Sequence, residues 1–177
     1  SRESRDRYGE AAAANVLGLI ALSEGDVPLA RERFRRALDA ARELKRHRLA
    51  AACLSNLGRI SEQEGDLEGA LSSYIMAHSE DRLVEHAPGI GEDLFRIGRV
   101  LFRMDKMAEA RGYLERALAV HTQLGLVPGM IGDLELLTGI AEREGDPSRA
   151  AVLRKRLSDI REGMAGGTAG SNKKGAR

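Results

Sequence analysis

NLGRISEQEGDLEGALSSYIMAHS, Asn56 to Ser79, is the stretch whose landmarks return along the chain at a fixed step of 40 residues. Ala70 is matched by Ala30, Ala110 and Ala150, Gly58 by Gly18 and Gly98, and Leu57 by Leu17, Ile97 and Leu137. The Gly65-Asp66 pair returns as Gly25-Asp26 and Gly145-Asp146, Tyr74 as Phe34 and Leu114, and Ala77 as Ala37 and Ala117. A period of that length means stacked supersecondary units, none of which buries its apolar face alone. Within the unit, Leu54, Leu57 and Ile60, then Leu67, Leu71, Tyr74 and Ile75, fall mainly at steps of three and four on the two sides of Gly65-Asp66. That is the interval of an amphipathic helix, and glycine followed by aspartate supplies a C-cap and an N-cap. The unit is therefore a helical hairpin. Gly58, Ala70 and Ala77 let its two backbones approach, and Tyr74 fills the gap that remains.

These landmarks resemble those of the tetratricopeptide repeat, in a variant of about 40 residues instead of the usual ~34. The resemblance covers roughly residues 11 to 160. On the first helix of the unit it rests on Leu54, Leu57-Gly58 and Ser61, and on the second on Ala70, Tyr74 and Ala77. The family's closing proline is missing from its place, where Arg42, Arg82 and Thr122 stand. The resemblance implies an all-α, right-handed superhelical α-solenoid of four helix-turn-helix repeats, near residues 8–47, 48–87, 88–127 and 128–163. Residues 1–7 read as a charged lead-in, and 164–177, rich in Gly, Ala and Lys without periodicity, as a disordered tail. Repeat three has Asp105-Lys106 in place of Gly-Asp, which predicts a tighter or less sharply capped turn. Repeat four carries Thr138 for the glycine and Arg154 for the aromatic, the polar drift of a terminal cap.

Composition narrows the function classes. A formal net charge of +1 gives no electrostatic footprint for nucleic acid, and 3% aromatics leaves little on which to stack bases. The one cysteine, Cys53, has no intramolecular partner and fits a reducing compartment, so a cytoplasmic location is expected. The longest apolar run, Ala11 to Leu22, is too short for a membrane span of about 20 residues.

No constellation for catalysis emerges, and neither enzyme activity, a cofactor nor a metal is expected. Gly89-Ile90-Gly91 opens like a dinucleotide loop, but Leu94 stands at the third glycine and no strand precedes it, so it reads as an inter-repeat turn. The tail GGTAGSNKKG has Asn172 and Lys174 where a phosphate loop needs glycine and Ser/Thr. His47, His78, His86 and His121 stand singly, without metal-ligand spacing, and read as surface or interior residues. Cys53 reads as a small core filler.

Function then falls to the concave groove, which the resemblance assigns to the first helices. Its positions are Ala12, Asn15, Leu19 and Leu22 in repeat one, and Ala52, Ser55, Arg59 and Glu62 with Gln63 in repeat two. Repeat three contributes Glu92, Phe95, Arg99 and Phe102 with Arg103, and repeat four Gly132, Glu135, Gly139 and Glu142. Arg59 and Arg99 occupy equivalent places beside two phenylalanines, which suits a partner peptide carrying an acidic or carboxylate group next to an apolar residue. The alternative is that Phe95 and Phe102 pack on neighbouring repeats while Arg59 and Arg99 pair with Glu62 and Glu92.

The first helix, about Tyr8 to Ser23, is apolar nearly all round. Such a helix is normally covered, so further repeats upstream, a partner protein or a second copy forming a homodimer is expected to cover it. The link Leu124 to Gly129, the run EREGDPSRAAVL from Glu142 to Leu153 and Ile160-Arg161-Glu162 resemble the C-terminal repeat region of large bacterial signal-transduction ATPases and transcription activators. That resemblance implies a second role, the sensor segment of a larger regulator that binds a small inducer. The leading expectation is a protein-protein interaction scaffold.

Overall fold

The computed structural model describes residues 2–171. Among them eight helices follow one another: α1 (Arg2–Ser23), α2 (Val27–Glu43), α3 (His47–Gln63), α4 (Leu67–Leu83), α5 (Ala87–Arg103), α6 (Met107–Leu124), α7 (Val127–Arg143) and α8 (Pro147–Ser171). They pack as consecutive antiparallel pairs, and each second helix also lies against the first helix of the next pair. The four pairs are the four repeats read from the sequence. The lead-in from Arg2 onward belongs to α1, and α8 runs past Met164 to Ser171; residues 172–177 of the expected tail lie outside the described residues.

One turn is used seven times. Gly25, Lys45, Gly65, Glu85, Asp105, Gly125 and Gly145 all have positive φ, between 51° and 84°, at 20-residue steps. After each of them the next N–H (Asp26, Arg46, Asp66, His86, Lys106, Leu126, Asp146) bonds the carbonyl five residues back at 2.7–3.0 Å, closing a Schellman-type end. The turn after α5 is therefore no tighter than the others, correcting the expectation for Asp105-Lys106. What it lacks is the side-chain cap. Asp26, Asp66 and Asp146 accept from the N–H three residues on at 2.9–3.0 Å, whereas Lys106 makes no such bond.

Inside each repeat the small-under-large fit is close. A Cβ at Gly18, Gly58 or Gly98 would lie 2.7, 2.8 or 2.6 Å from Phe34, Tyr74 or Leu114 respectively. Ala30, Ala70, Ala110 and Ala150 are at most 1% exposed. In repeat four Arg154 turns out to Glu142 and Thr138 occupies the glycine position, so this repeat has neither the large apolar residue nor its glycine. Gly58→Leu is expected to cost about 1–3 kcal/mol by overpacking against Tyr74. A urea midpoint within error of wild type would mean that α3 and α4 can separate freely.

Among the described residues, helix α1 has no neighbour on one side. Leu17 and Ile20 are 48% and 46% exposed, yet Ile97 and Leu137, equivalent to Leu17, are 1% and 3% exposed, and Ile60, Val100 and Ile140, equivalent to Ile20, are at most 1% exposed. In repeats two to four that face is covered by the preceding second helix. No helix among the described residues is long and apolar enough to cross a membrane.

Candidate functional site

The groove positions gather into two places. Asn15 and Leu19 of α1, Ala52 and Ser55 of α3 and Glu92 of α5 line one open cleft of about 590 Å³. Glu62, Arg99 and Arg103 meet at a second place, nearer the C-terminal ends of α3 and α5.

At the second place Glu62 is the hub. Its carboxylate accepts from Arg99 at 2.8 Å, Arg103 at 2.9 Å and the Tyr74 hydroxyl at 3.0 Å. Burial pushes the Glu62 carboxyl up, but the two guanidinium groups and Tyr74 outweigh it and hold the pKa below its ordinary value. The Tyr74 phenol, buried and beside Glu62, is pushed up to about 12. Phe95 and Phe102 do not stand free. Their rings lie 3.1 Å and 3.5 Å from where a Cβ would sit on Gly132 and Gly139 of α7, and Arg99 and Arg143 cover them at 5.6 and 4.2 Å. Glycine at position 132 gives the Phe95 ring its room, whereas a Cβ at Gly139 would only touch Phe102 at ordinary contact distance. Arg99 pairs with Glu62, whereas Glu92 pairs with Arg96 at 3.0 Å. Arg59 and Gln63 are exposed, and Arg59 has no ion pair among the described residues. Leu22 is half-buried against the core around Phe34.

The first cleft has a different chemistry. The Asn15 carbonyl oxygen accepts from Asn56 Nδ2 at 3.2 Å and faces the Cys53 thiol at 3.5 Å. Cys53 is fully buried, and burial pushes its thiol up to about 12. Asp93, 2% exposed, accepts from Ser55 Oγ at 3.0 Å on Oδ1, with Arg96 at 3.7 Å from the same oxygen; its Oδ2 is buried and has no partner among the described residues. Burial, with Asp81 and Glu92 adding to it against the Ser55 bond and Arg96, pushes Asp93 up to about 7. Asp81, 5% exposed, is held by His86 Nδ1 at 3.2 Å and is raised by burial despite that contact. Gly89 makes room for it, since a Cβ there would meet Asp81 Oδ2 at 1.7 Å. Gly91 does the same for His121. The Gly89-Ile90-Gly91 run is thus helical, in the first turns of α5, where glycine accommodates side chains from α4 and α6; the turn expected there lies just before it.

Asp81, His86, Asp93 and Asp133 were not singled out as site residues from the sequence, although the 40-residue register carries a signal for them. Positions 41, 81 and 121 hold Ala, Asp and His, and positions 53, 93 and 133 hold Cys, Asp and Asp, all at most 5% exposed. Polar groups at places where the first interface has Ala41 and Cys53 are the departure to look for.

Helical hairpins in series, with an open groove along their first helices, are the architecture of repeat modules that generally bind other proteins. The chain carries tetratricopeptide repeats: two models, each described as Tetratricopeptide repeat, match residues 9–79 and 96–124. No curated protein matches the sequence. Among solved structures, aspartyl phosphate phosphatase F from Bacillus subtilis is similar with a TM-score of 0.83 at 18% identity, over 90% of this chain and 42% of that one. BtubC from P. vanneervenii is similar with a TM-score of 0.81 at 20% identity, over 88% of this chain and 65% of that one. A Podosopora anserina protein with nearly identical TPR-like repeats follows at 0.70 and 16%, over 88% and 76%. At these identities the likeness is one of fold, and this chain spans less than two thirds of the first two structures.

Proposed function

We propose that the chain is an interaction scaffold whose groove takes a segment of a partner protein. The observation that supports this reading is the cleft between α1, α3 and α5, where half-buried Asn15, Ser55 and Glu92 from three repeats face one open space. An extended peptide needs hydrogen-bonding groups at intervals along an open groove, whereas a small inducer, the ligand of the sensor reading, is better served by an enclosed pocket. Arg59, left without an ion pair, is the cation best placed to receive a carboxylate of the partner; at Arg99 and Arg103 that carboxylate would compete with Glu62. Peptides selected on the wild-type chain from a random twelve-residue display library test the reading. They are expected to lose at least tenfold in affinity on Ala52→Trp, which fills the cleft from an exposed position. Undiminished binding would place the ligand elsewhere.

A second surface is carried by α1. Its Leu17 and Ile20 occupy places that an amphipathic second helix covers in the other three repeats, so a helix of that kind, from a second copy or another protein, fits the face. The isolated chain is expected to show a mass by light scattering that rises with concentration toward a dimer, and Leu17→Glu/Ile20→Glu to remain monomeric. These two residues serve better than Leu22, whose substitution would disturb the core near Phe34. A monomeric wild type at all concentrations would leave the face to a different protein.

A further inference from the structure

We propose that the cleft between α1, α3 and α5 is a subsite for an ammonium or guanidinium group, seated against the unpartnered Oδ2 of Asp93. The inference rests on the peptide-binding reading of the same cleft and adds what chemistry the partner must carry there.

The register of the repeats creates the site. At the first interface Ala41 and Cys53 occupy the equivalent places, and at the third His121 meets Asp133 at 2.6 Å; at the second, acid is set near acid, Asp81 and Asp93. Asp81 is relieved by His86 at 3.2 Å. Asp93 has only Ser55 and a distant Arg96, both on Oδ1, so half of a carboxylate that is 2% exposed is left without a donor. Buried oxygens of this kind are nearly always satisfied in folded proteins, and because Asp93 is one of the residues lining the open cleft, a group that enters the cleft is the donor at hand.

A cation suits it better than a neutral donor. The polar groups that line the cleft with Asp93 are Tyr8 and Asn15 from α1, Arg48, Ser55 and Asn56 from α3, Asp81 from α4, His86 at the start of α5, and Glu92 and Arg96 on α5 itself; of these Ser55, Arg96, Asp81 and Glu92 act on its carboxyl. Of the two arginines, Arg96 is committed to Glu92 at 3.0 Å. Burial and the neighbouring acids push Asp93 to about 7, so near neutral pH an entering cation displaces its proton and turns a poorly solvated carboxylate into a charge-assisted pair. Among the described residues no three His, Cys, Asp or Glu side chains converge to hold a metal ion, which favours an organic cation held by hydrogen bonds. Because Asp93 must be ionised to bind it, affinity rises by about tenfold between pH 6 and pH 8.

Titration of the ¹³C-labelled chain with n-butylguanidinium and n-butylammonium, with n-pentanol as the neutral control, tests the site directly. The expected result is a fall of at least one unit in the Asp93 pKa, read from its carboxyl resonance, with either cation and none with pentanol. Asp93→Asn, which keeps the shape and can still accept from Ser55, is expected to weaken both cations at least tenfold, with a urea midpoint at pH 7 no lower than that of wild type. In parallel, library peptides whose binding depends on Ala52 are expected to carry Lys or Arg, and its replacement by norleucine to cost tenfold on wild type and nothing on Asp93→Asn. Cleft-binding peptides without a basic residue and indifferent to Asp93→Asn would overturn the cation site while leaving the peptide reading intact. Cations that shift Asp93 while no peptide depends on the cleft would support the site as one for a free amine and overturn the peptide reading instead. No shift with either cation overturns the proposal.

Discussion

Replacing His121 by leucine is expected to cost about 3–5 kcal/mol of folding stability, the usual penalty for removing one partner of a buried polar pair. His121 leaves α6 and enters a slot that Gly91 and Gly129 keep open, since a Cβ on either would come 2.8 or 2.6 Å from its ring. It is 2% exposed and its Nδ1 sits 2.6 Å from Oδ2 of Asp133, itself 0% exposed. The other oxygen of Asp133 is already without a partner. Without the imidazole the whole carboxyl is stranded between α6 and α7. His121→Leu/Asp133→Leu together are expected to recover most of the loss, because a hydrophobic pair needs no hydrogen bond. The urea midpoints of wild type, both single variants and the double variant form the cycle that measures this. A single-variant cost below about 1 kcal/mol would mean that the pair does not hold the repeat three to repeat four interface.

Stability is expected to fall as pH rises from about 4 to about 7. Burial raises Asp93 to about 7 and Asp133 to about 6, both from an ordinary 3.8. Each carboxyl therefore binds its proton more tightly folded than unfolded. Between those limits the folded chain holds more protons, and the stability present below pH 4 is lost as pH passes the folded values. At about 1.4 kcal/mol per unit, the two together are worth on the order of 7 kcal/mol once pH has passed both folded values. Glu62 works in the opposite sense: its folded pKa is lowered, and its contribution is lost only as pH falls through that lowered value. Urea midpoints measured from pH 4.5 to 8 should show the decline, and Asp93→Asn/Asp133→Asn should flatten it. A stability that climbs over this range would mean that neither carboxyl keeps its proton. The same energetics bear on function, since an ionised Asp93 at neutral pH is the least satisfied group of the cleft and gains most from a bound cation.

The sequence by itself determined the repeat. Ala30, Ala70, Ala110 and Ala150, the glycines under Phe34 and Tyr74, and the Gly-Asp turns are local requirements: two helices in one hairpin can approach only if small residues stand where the backbones meet. Those requirements recur every 40 residues and are legible without knowing how one hairpin lies on the next. The exposed apolar face of α1 was legible for the same reason, as a helix without a polar side. Tertiary structure decided what happens between repeats. Phe95 and Phe102 are at groove positions by count, yet their rings lie against Gly132 and Gly139 of the next repeat. Arg99 is at a groove position too, and Glu62, one repeat earlier, takes it. The placing of Asp81 near Asp93, and with it the burial of both carboxyls, depends on the offset of α4 against α5. That offset is set by side-chain volumes on both helices together, and no periodicity within one repeat encodes it.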